Sequence, residues 1–149
     1  MQITSSAIQA SGQVLPDYTC DGENVSPPLT FSEIPEGTKS LVLILEDPDA
    51  PNGLFTHWLL YDMSPATLQL MQDQPPLTGK SGTNDFGKQG YGGPCPPTGS
   101  HRYYFRLYAL DAVLDLPAGA GRSTLASAMA GHEIATAELM GAYARTATK

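Results

Sequence analysis

The chain has 149 residues, about the length of one ordinary domain, and its 41% hydrophobic and 15% charged residues are typical of a globular protein. Fifteen acidic residues against eight Lys and Arg give a net charge of −7, which argues against nucleic-acid binding. No apolar run approaches the about 20 residues that span a bilayer, and no signal-like segment opens the sequence. We therefore expect a cytoplasmic chain without a membrane span.

Two neighbouring strands are predicted in the first half of the sequence. LVLIL, residues 41–45, is a continuous apolar run, typical of a strand that is buried on both faces. HWLLYDM, residues 57–63, predicts the next strand. Alternation would put His57, Leu59 and Tyr61 together on one face of that strand.

A long segment rich in glycine and proline, residues 72–100, connects these strands to a third one. Loops of that length in compact domains are usually functional or mobile. The segment leads into HRYYFRLYALD, residues 101–111, which is the clearest strand of the sequence. Alternation puts His101 and Tyr103 on one face and Arg102 on the other, where we expect the arginine to pair with carboxylates or to lie along the sheet.

The C-terminal part of the chain predicts a helix, because apolar residues recur there at helical spacing. Ser123 is the predicted N-cap, and His132 would lie in the core. Many strands followed by one helix predict a mostly β protein, a sandwich or barrel with a C-terminal α-helix packed at its edge. The periodic positions are Leu125, Met129, His132, Thr136, Leu139 or Met140, and Tyr143.

Motifs for common catalytic and metal chemistry are broken or absent. A calcium loop that begins at Asp47 would have Pro51 at its fifth position, and GKS at residues 79–81 lacks the preceding glycine of a phosphate loop. No serine lies in a GxSxG elbow, whereas paired-carboxylate glycosidase chemistry stays formally open. Spacing gives no support to a metal site built from His57, His101 and a carboxylate. We predict no catalytic residue, no metal and no cofactor.

The two cysteines, Cys20 and Cys95, lie far apart and form no CxxC motif, so a zinc cluster is not predicted. They could pair with each other. The expected cytoplasmic location favours free thiols, because reducing compartments rarely hold structural disulfides.

The stretch LEDPDAPNGLFTHW crowds three acids next to two prolines. The proline after Asp47 and Pro51 restrict the backbone, so the Asp47 carboxylate is expected on a stiff scaffold at the end of a buried strand. Such stiffness suits a binding site. The alternative is that Asp47 or Asp49 only caps a tight turn. Glu46 and Asp49 are expected to be turn and surface residues without a direct role.

A second candidate segment is GYGGPCPPTGSHRYYF, residues 90–105. Backbone N–H groups of Gly92 and Gly93 could form an anion-binding nest. His101 and Tyr103 leave the loop on one strand face and can both donate to an anion. An isolated histidine at a strand end is more often structural, so it is the combination of these groups that indicates a site.

Both segments resemble the phosphatidylethanolamine-binding protein family, also called the Raf kinase inhibitor-like family. The motifs are DPDAP at 47–51 followed by His57, and GPCPPTGSHRY at 93–103. YTCDGENVSPPLTF at 18–31 and GHEIATAELMGAYAR at 131–145 are similar to the bacterial and archaeal branch of the family. The resemblance covers nearly the whole chain in the same order.

The resemblance implies a single domain over residues 1–149, built on two antiparallel β-sheets with a small anion pocket near one edge. It also implies a cis peptide bond between Ala50 and Pro51. The residues that would line the pocket are Asp47, Ala50, Pro51, His57, Gly93, Pro96, Pro97, His101 and Tyr103.

The function that follows is binding of phosphate or a phosphorylated headgroup-like anion in a preformed pocket. The role would be regulatory, as a modulator of a partner enzyme such as a kinase or a protease. The alternative is an enzyme that acts on a phosphorylated small molecule, with His57 or His101 as acid or base and Asp47 orienting it. Expected partners are thus a small anion and an enzyme, with no nucleic acid and no membrane span; a homodimer is allowed.

Overall fold

The structure is a computed structural model that describes residues 1–145. Strands dominate it, and a short 3₁₀ turn covers Pro16–Tyr18. The strands are β1 (Gln2–Thr4), β2 (Leu29–Ser32), β3 (Ser40–Asp47), β4 (Phe55–Met63), β5 (Gln69–Leu70), β6 (Lys80–Ser81), β7 (Ser100–Leu110) and β8 (Glu133–Ala144), and the helix is α1 (Arg122–Met129).

The strands form two sheets in which every pairing is antiparallel. One sheet has three strands in the order β1-β2-β5, and the other has five in the order β6-β4-β3-β7-β8. The predicted fold class is therefore confirmed: the protein is mostly β, with two antiparallel sheets and one helix in its C-terminal part. No helix in residues 1–145 is long and apolar enough to cross a membrane.

Strand β3 is the centre of the core because both of its faces are covered. Leu43 and Leu45 belong to the larger hydrophobic cluster, which includes Phe31 of the three-stranded sheet. Val42 and Ile44 on the opposite face pack in a second cluster with the apolar side of α1. All eight residues of β3 are buried, as its continuous apolar sequence predicts.

The predicted C-terminal helix is only partly correct. The helix has Gly121, not Ser123, as its N-cap, and it ends at Met129. Gly131 then adopts a positive φ of 82°, and the chain continues as β8, which pairs with β7 from Ser100–Ala144 to Leu110–Glu133. Pairing along the whole of β7 satisfies the backbone of β8 and overrides the helix propensity of its Ala, Glu, Leu and Met residues.

Two expectations about individual side chains are also wrong. His132 lies between α1 and β8 with 45% of its side chain exposed, where it contacts Asp111, so it is not a core residue. Glu46 is only 3% exposed, not a surface residue, because β3 continues to Asp47. Its carboxylate lies 3.4 Å from Nε of Arg106 and 3.3 Å from Nε of Arg122. This buried acid is therefore part of an ion-pair cluster on the helix side of the sheet.

Candidate functional site

A β-bulge in β4 turns His57 toward the space between the sheets. Leu45 pairs with Trp58 while the next β3 residue, Glu46, pairs with Thr56, so His57 is an extra residue in β4. A bulge changes the direction of a side chain in this way. The predicted common face of His57, Leu59 and Tyr61 is therefore wrong: Leu59 and Tyr61 pack on the helix side of the sheet.

Asp47 lies at the end of β3 and uses both carboxylate oxygens. Oδ1 accepts the backbone N–H of Asp49 at 2.7 Å, which closes a turn, and Oδ2 accepts Nδ1–H of His101 at 2.7 Å. The side chains of Asp47 and His101 are 4% and 9% exposed. The sequence presents turn capping and site formation as alternatives for Asp47, but one carboxylate serves the turn and also orients a pocket histidine.

The turn after β3 is attached to β7 through a second acid. Asp49 accepts hydrogen bonds from the backbone N–H, Nε and a terminal nitrogen of Arg102. The predicted pairing of Arg102 with a carboxylate is thereby confirmed. Two successive β7 residues, His101 and Arg102, therefore fix the turn from opposite faces of the strand.

Residues 1–145 contain no cis peptide bond, so the expected cis bond at Ala50–Pro51 is wrong.

The glycines of the second motif support the histidine and do not form a nest. Gly92 donates its N–H to the carbonyl of His57 at 3.0 Å, and its own carbonyl accepts Nδ1–H of His57 at 2.7 Å. Gly93 donates its N–H to Oδ1 of Asn24 at 2.9 Å. Both amides are already used within the protein, so the expected nest of backbone donors is wrong. A Cβ on Gly93 would clash with the Tyr18 carbonyl oxygen, so the close approach of the two loops requires glycine there.

A disulfide joins Cys20 to Cys95 behind this wall. The backbone N–H of Cys20 also donates to the carbonyl of Pro94 at 3.0 Å, and the Tyr91 hydroxyl donates to the carbonyl of Tyr18 at 2.6 Å. The expectation of free thiols is wrong. The loop that carries Tyr18, Cys20 and Asn24 thus holds the pocket segment in place.

These elements enclose a cavity of about 150 Å³ between the end of β3, the start of β4, the loop before β7 and the start of β7. Eight of the nine predicted site residues line it, and Gly93 does not. Sequence reasoning missed Phe55, Phe86 and Cys95. Phe55 shares a face with His57 two residues along β4, whereas Phe86 comes from a loop without periodicity. The lining residues are Asp47, Ala50, Pro51, Phe55, His57, Phe86, Cys95, Pro96, Pro97, His101 and Tyr103.

Aromatic rings surround the polar groups of the cavity. The ring of His57 lies 4.9 Å from Phe55, 5.4 Å from Phe86 and 5.4 Å from Tyr103, measured between centroids. The His101 and Tyr103 rings stack at 6.3 Å. Such edge and stacked contacts restrain the rings, so the polar atoms are held in fixed positions.

The environment sets the protonation of two of these groups. Burial lowers the pKa of His57 below its ordinary value, so the ring is neutral at pH 7. Burial, followed by the charge of Asp47, raises the pKa of Tyr103, so its hydroxyl stays protonated and can donate. No Lys or Arg of the described chain lines the cavity. Positive charge for an anion could therefore come only from an imidazole.

Metal ligands are not gathered at this site. Among residues 1–145, no three His, Cys, Asp or Glu side chains are arranged so that they could hold a metal ion.

Comparison with known proteins identifies the family of the chain. Residues 4–144 match the model of the family described as phosphatidylethanolamine-binding protein, and the chain belongs to that family. A UPF0098 protein of Methanothermobacter thermautotrophicus is 46% identical over 97% of this chain and 99% of its own length. A UPF0098 protein of Chlamydia trachomatis is 47% identical over 96% of this chain and 98% of its own length.

Two solved structures have the same fold. The crystal structure of a putative phosphatidylethanolamine-binding protein homologue from Chlamydia trachomatis superposes with a TM-score of 0.92, at 45% identity and 97% coverage of both chains. The E. coli protein YbcL, described as a new member of the mammalian PEBP family, has a TM-score of 0.87 at 33% identity, covering 97% of this chain and 98% of its own.

Proposed function

We propose that the chain is a single-domain binding protein that takes a small oxyanion, phosphate or a phosphorylated headgroup, into the cavity at the end of β3. The observation that carries this proposal is the convergence of His57, His101 and Tyr103 on one preformed space. Hydrogen bonds to Gly92 and Asp47 fix the two imidazoles before any ligand arrives. A preorganised pocket with a few polar groups in apolar walls is typical of a small-molecule site.

The experiment is an NMR titration of the ¹⁵N-histidine-labelled protein with inorganic phosphate and with phosphoethanolamine. We expect the ring signals of His57 and His101 to move together, because both rings line the cavity. His132 is the internal control, since it lies outside the cavity lining and is held by Asp111. Shifts at His132 or at distant amides, with unmoved His57 and His101, would overturn the pocket assignment.

We also propose a regulatory role, in which the rim of the pocket contacts a partner enzyme, a kinase or a protease. Leu54 and Phe86 support this idea because they are apolar and 53% and 47% exposed; Phe86 lines the cavity, and Leu54 directly precedes the lining residue Phe55. The test is inhibition of a panel of purified kinases and proteases by the wild-type chain and by Leu54→Ser/Phe86→Ser. Val113→Ser is the control, since Val113 is 60% exposed and lies outside the cavity lining. Inhibition that survives the double substitution would contradict the role of the rim.

We propose binding without turnover. The site offers an oriented His101–Asp47 pair, but the cavity sulfur, Cys95, is in a disulfide and therefore has no thiol to attack a substrate. A library of phosphoesters, assayed for phosphate release, tests the alternative of an enzyme. Turnover that is abolished in His101→Ala would establish acid–base catalysis, whereas binding without release agrees with the proposal.

The form that binds ligand is, in this proposal, the oxidised one. The cytoplasmic location stays a prediction, and the Cys20–Cys95 disulfide favours an oxidising compartment. Alkylation of the chain directly from cells, followed by mass measurement, tests this point. Two alkylated cysteines would favour a reducing compartment, and none would favour an oxidising one.

A further inference from the structure

Both imidazoles of the pocket use the same ring nitrogen for a bond to the protein. Nδ1 of His57 faces the Gly92 carbonyl at 2.7 Å, and Nδ1 of His101 faces the Asp47 carboxylate at 2.7 Å. A carbonyl and a carboxylate only accept hydrogen bonds, so each Nδ1 carries a proton and donates it. Nε2 is therefore the nitrogen that each ring presents for a ligand.

Each Nε2 is an acceptor as long as its ring is neutral. Within residues 1–145, neither Nε2 has a hydrogen-bond partner. The one side-chain nitrogen or oxygen there that is both buried and without a partner is Nε of Arg106, so the two Nε2 atoms are not fully buried. The residual exposure of the two rings, 4% for His57 and 7% for His101, thus includes these nitrogens. Because both rings line the cavity, the Nε2 atoms are its available polar groups.

A fully ionised oxyanion also has only acceptor atoms. In the cavity it would face the Nε2 lone pairs of His57 and His101 and the nearby carboxylate of Asp47, all of which repel it. The Tyr103 hydroxyl is the one side-chain O–H donor among the lining residues, and the Asp47 carboxylate competes for its hydrogen bond. No Lys or Arg in the described part of the chain lines the cavity to offset this opposition. Entry of the oxyanion therefore requires that a proton accompany it.

We propose that the pocket binds an oxyanion together with one proton, which is held on Nε2 of His101 between the anion and the ring. The proton comes from solvent, and the ring becomes an imidazolium that donates through Nδ1 to Asp47 and through Nε2 to the anion. This inference rests on the proposed function and names its ligand class: an oxyanion taken up in a proton-linked reaction.

His101, and not His57, is the residue that takes the proton. Its Nδ1 partner is a carboxylate, which forms an ion pair with an imidazolium, whereas His57 has a neutral carbonyl as its partner. Burial also lowers the pKa of His57. The ring contacts of His57 are otherwise aromatic, with Phe55, Phe86 and Tyr103 around it.

The other charged and titratable side chains that neighbour His101 on β7 and β8 are already paired within the protein. Arg102 is bound to Asp49 on the outer side of β7, so its side chain does not line the cavity. From β8, Tyr143 lies opposite His101 and donates its hydroxyl to Asp21 at 2.6 Å. The loop before β7 contributes no ionisable group to the lining. The titratable and charged groups around His101 are Asp47, Asp49, His57, Arg102, Tyr103, Tyr143 and, through Tyr143, Asp21.

The test is calorimetric titration of the full chain with inorganic phosphate at about pH 8, where free imidazoles are neutral and phosphate is almost fully a dianion. Tris and triethanolamine serve as buffers, since both are cationic and cannot occupy an anion site. Each proton that the complex takes up is released by the buffer, so the observed binding enthalpy includes the ionisation enthalpy of that buffer. The difference in observed enthalpy between the two buffers therefore gives the number of protons taken up. We expect about one proton per phosphate, and an affinity that falls about tenfold for each further pH unit.

The site of the proton is read from the ring ¹⁵N signals of the same complex. His101 should show two protonated nitrogens and His57 only Nδ1. In His101→Gln the neutral amide can donate a hydrogen bond to the anion without first being protonated, so proton uptake should fall to near zero. His132→Gln, the matched control, should keep about one proton.

The outcomes separate the inference from the function on which it rests. Phosphate that binds with equal enthalpy in both buffers, or with a neutral His101 ring, overturns proton-linked binding and leaves the anion pocket intact. Absence of phosphate binding at about pH 6 as well as at about pH 8 overturns both.

Discussion

The molecule contains two histidine–aspartate pairs of nearly equal length in very different surroundings. His101 and Asp47 are 2.7 Å apart with side chains 9% and 4% exposed, and His132 and Asp111 are 2.8 Å apart with side chains 45% and 50% exposed. Within residues 1–145, the first pair lines the cavity at the end of β3, and the second pair lies outside the lining of that cavity. The same hydrogen bond is thus a surface contact in one place and a fixed part of a candidate binding site in the other. Burial, and not the contact itself, gives the pair its importance.

The largest effect is expected from removal of the buried acid. Asp47→Ala leaves Nδ1 of His101 without its partner and opens the turn at Asp49, so we expect a loss of about 3 kcal/mol in the free energy of unfolding. Asp111→Ala, the matched control, should cost less than about 1 kcal/mol because its pair is solvated. Urea unfolding of both variants measures the difference. Equal losses would contradict the comparison.

A smaller effect is expected from loss of the pocket hydroxyl. Tyr103→Phe removes the side-chain donor of the cavity, so phosphate affinity should fall about tenfold at pH 6 to 7. Tyr143→Phe is the control, because its hydroxyl binds Asp21 and it lies outside the cavity lining. Calorimetry on both variants checks the prediction. A similar loss of affinity in Tyr143→Phe would place the effect in β8 and not in the pocket.

The pH dependence of stability extends the comparison to His57. Its pKa is lowered in the folded state by burial, so below the ordinary value of about 6.5 the unfolded chain binds a proton that the folded chain does not. Stability from this group is therefore present above about pH 6.5 and falls as the pH drops toward the lowered pKa, by up to about 1.4 kcal/mol per pH unit. His57→Gln should remove this slope. His132→Gln should retain it, and a flat wild-type profile between about pH 6.5 and 5 would contradict the burial of a neutral ring.

The smallest effect is expected at the exposed end of the turn. Arg102 lowers the pKa of Asp49 to about 2, yet the side chain of Arg102 is 52% exposed, so solvent screens the pair. Asp49→Ala should cost about 0.2–1 kcal/mol at neutral pH. The contribution is present above the ordinary pKa of the carboxyl and is lost as the pH falls toward about 2. Repetition in about 1 M salt should shrink the difference, and a salt-independent loss would indicate a role in backbone structure.

The parts of the fold that sequence could predict are those with a local pattern. The apolar run at 41–45 and the alternation at 101–111 led directly to β3 and β7, because burial on one or both faces shows in neighbouring residues. β8 could not be predicted in this way from its helix-favouring residues. From Ala135 to Tyr143, every second residue is small or apolar and faces inward, which is the period of a strand. The same segment also has apolar residues at helical spacing, so the sequence pattern alone does not decide between strand and helix.

The site was predictable to the extent that its residues lie in two continuous motifs. Asp47 and His57 come from the first motif and His101 and Tyr103 from the second, and all four line one cavity. Three features depended on distant pairings: the bulge that turns His57, the disulfide that holds Cys95, and the bonds that occupy the glycine amides. No spacing within a single segment carries that information.

The proposed binding of an oxyanion to His101, in the cavity between Asp47 and Tyr103, can be seen directly in a crystal. The experiment is a crystal structure of the oxidised chain grown with phosphate at about pH 6. We expect tetrahedral density in the cavity with oxygens at about 2.7–3.0 Å from Nε2 of His101 and from the Tyr103 hydroxyl, and an unbroken bond between His101 and Asp47. An empty cavity at saturating phosphate, or phosphate bound only elsewhere on the surface, would show that His101 does not hold the anion.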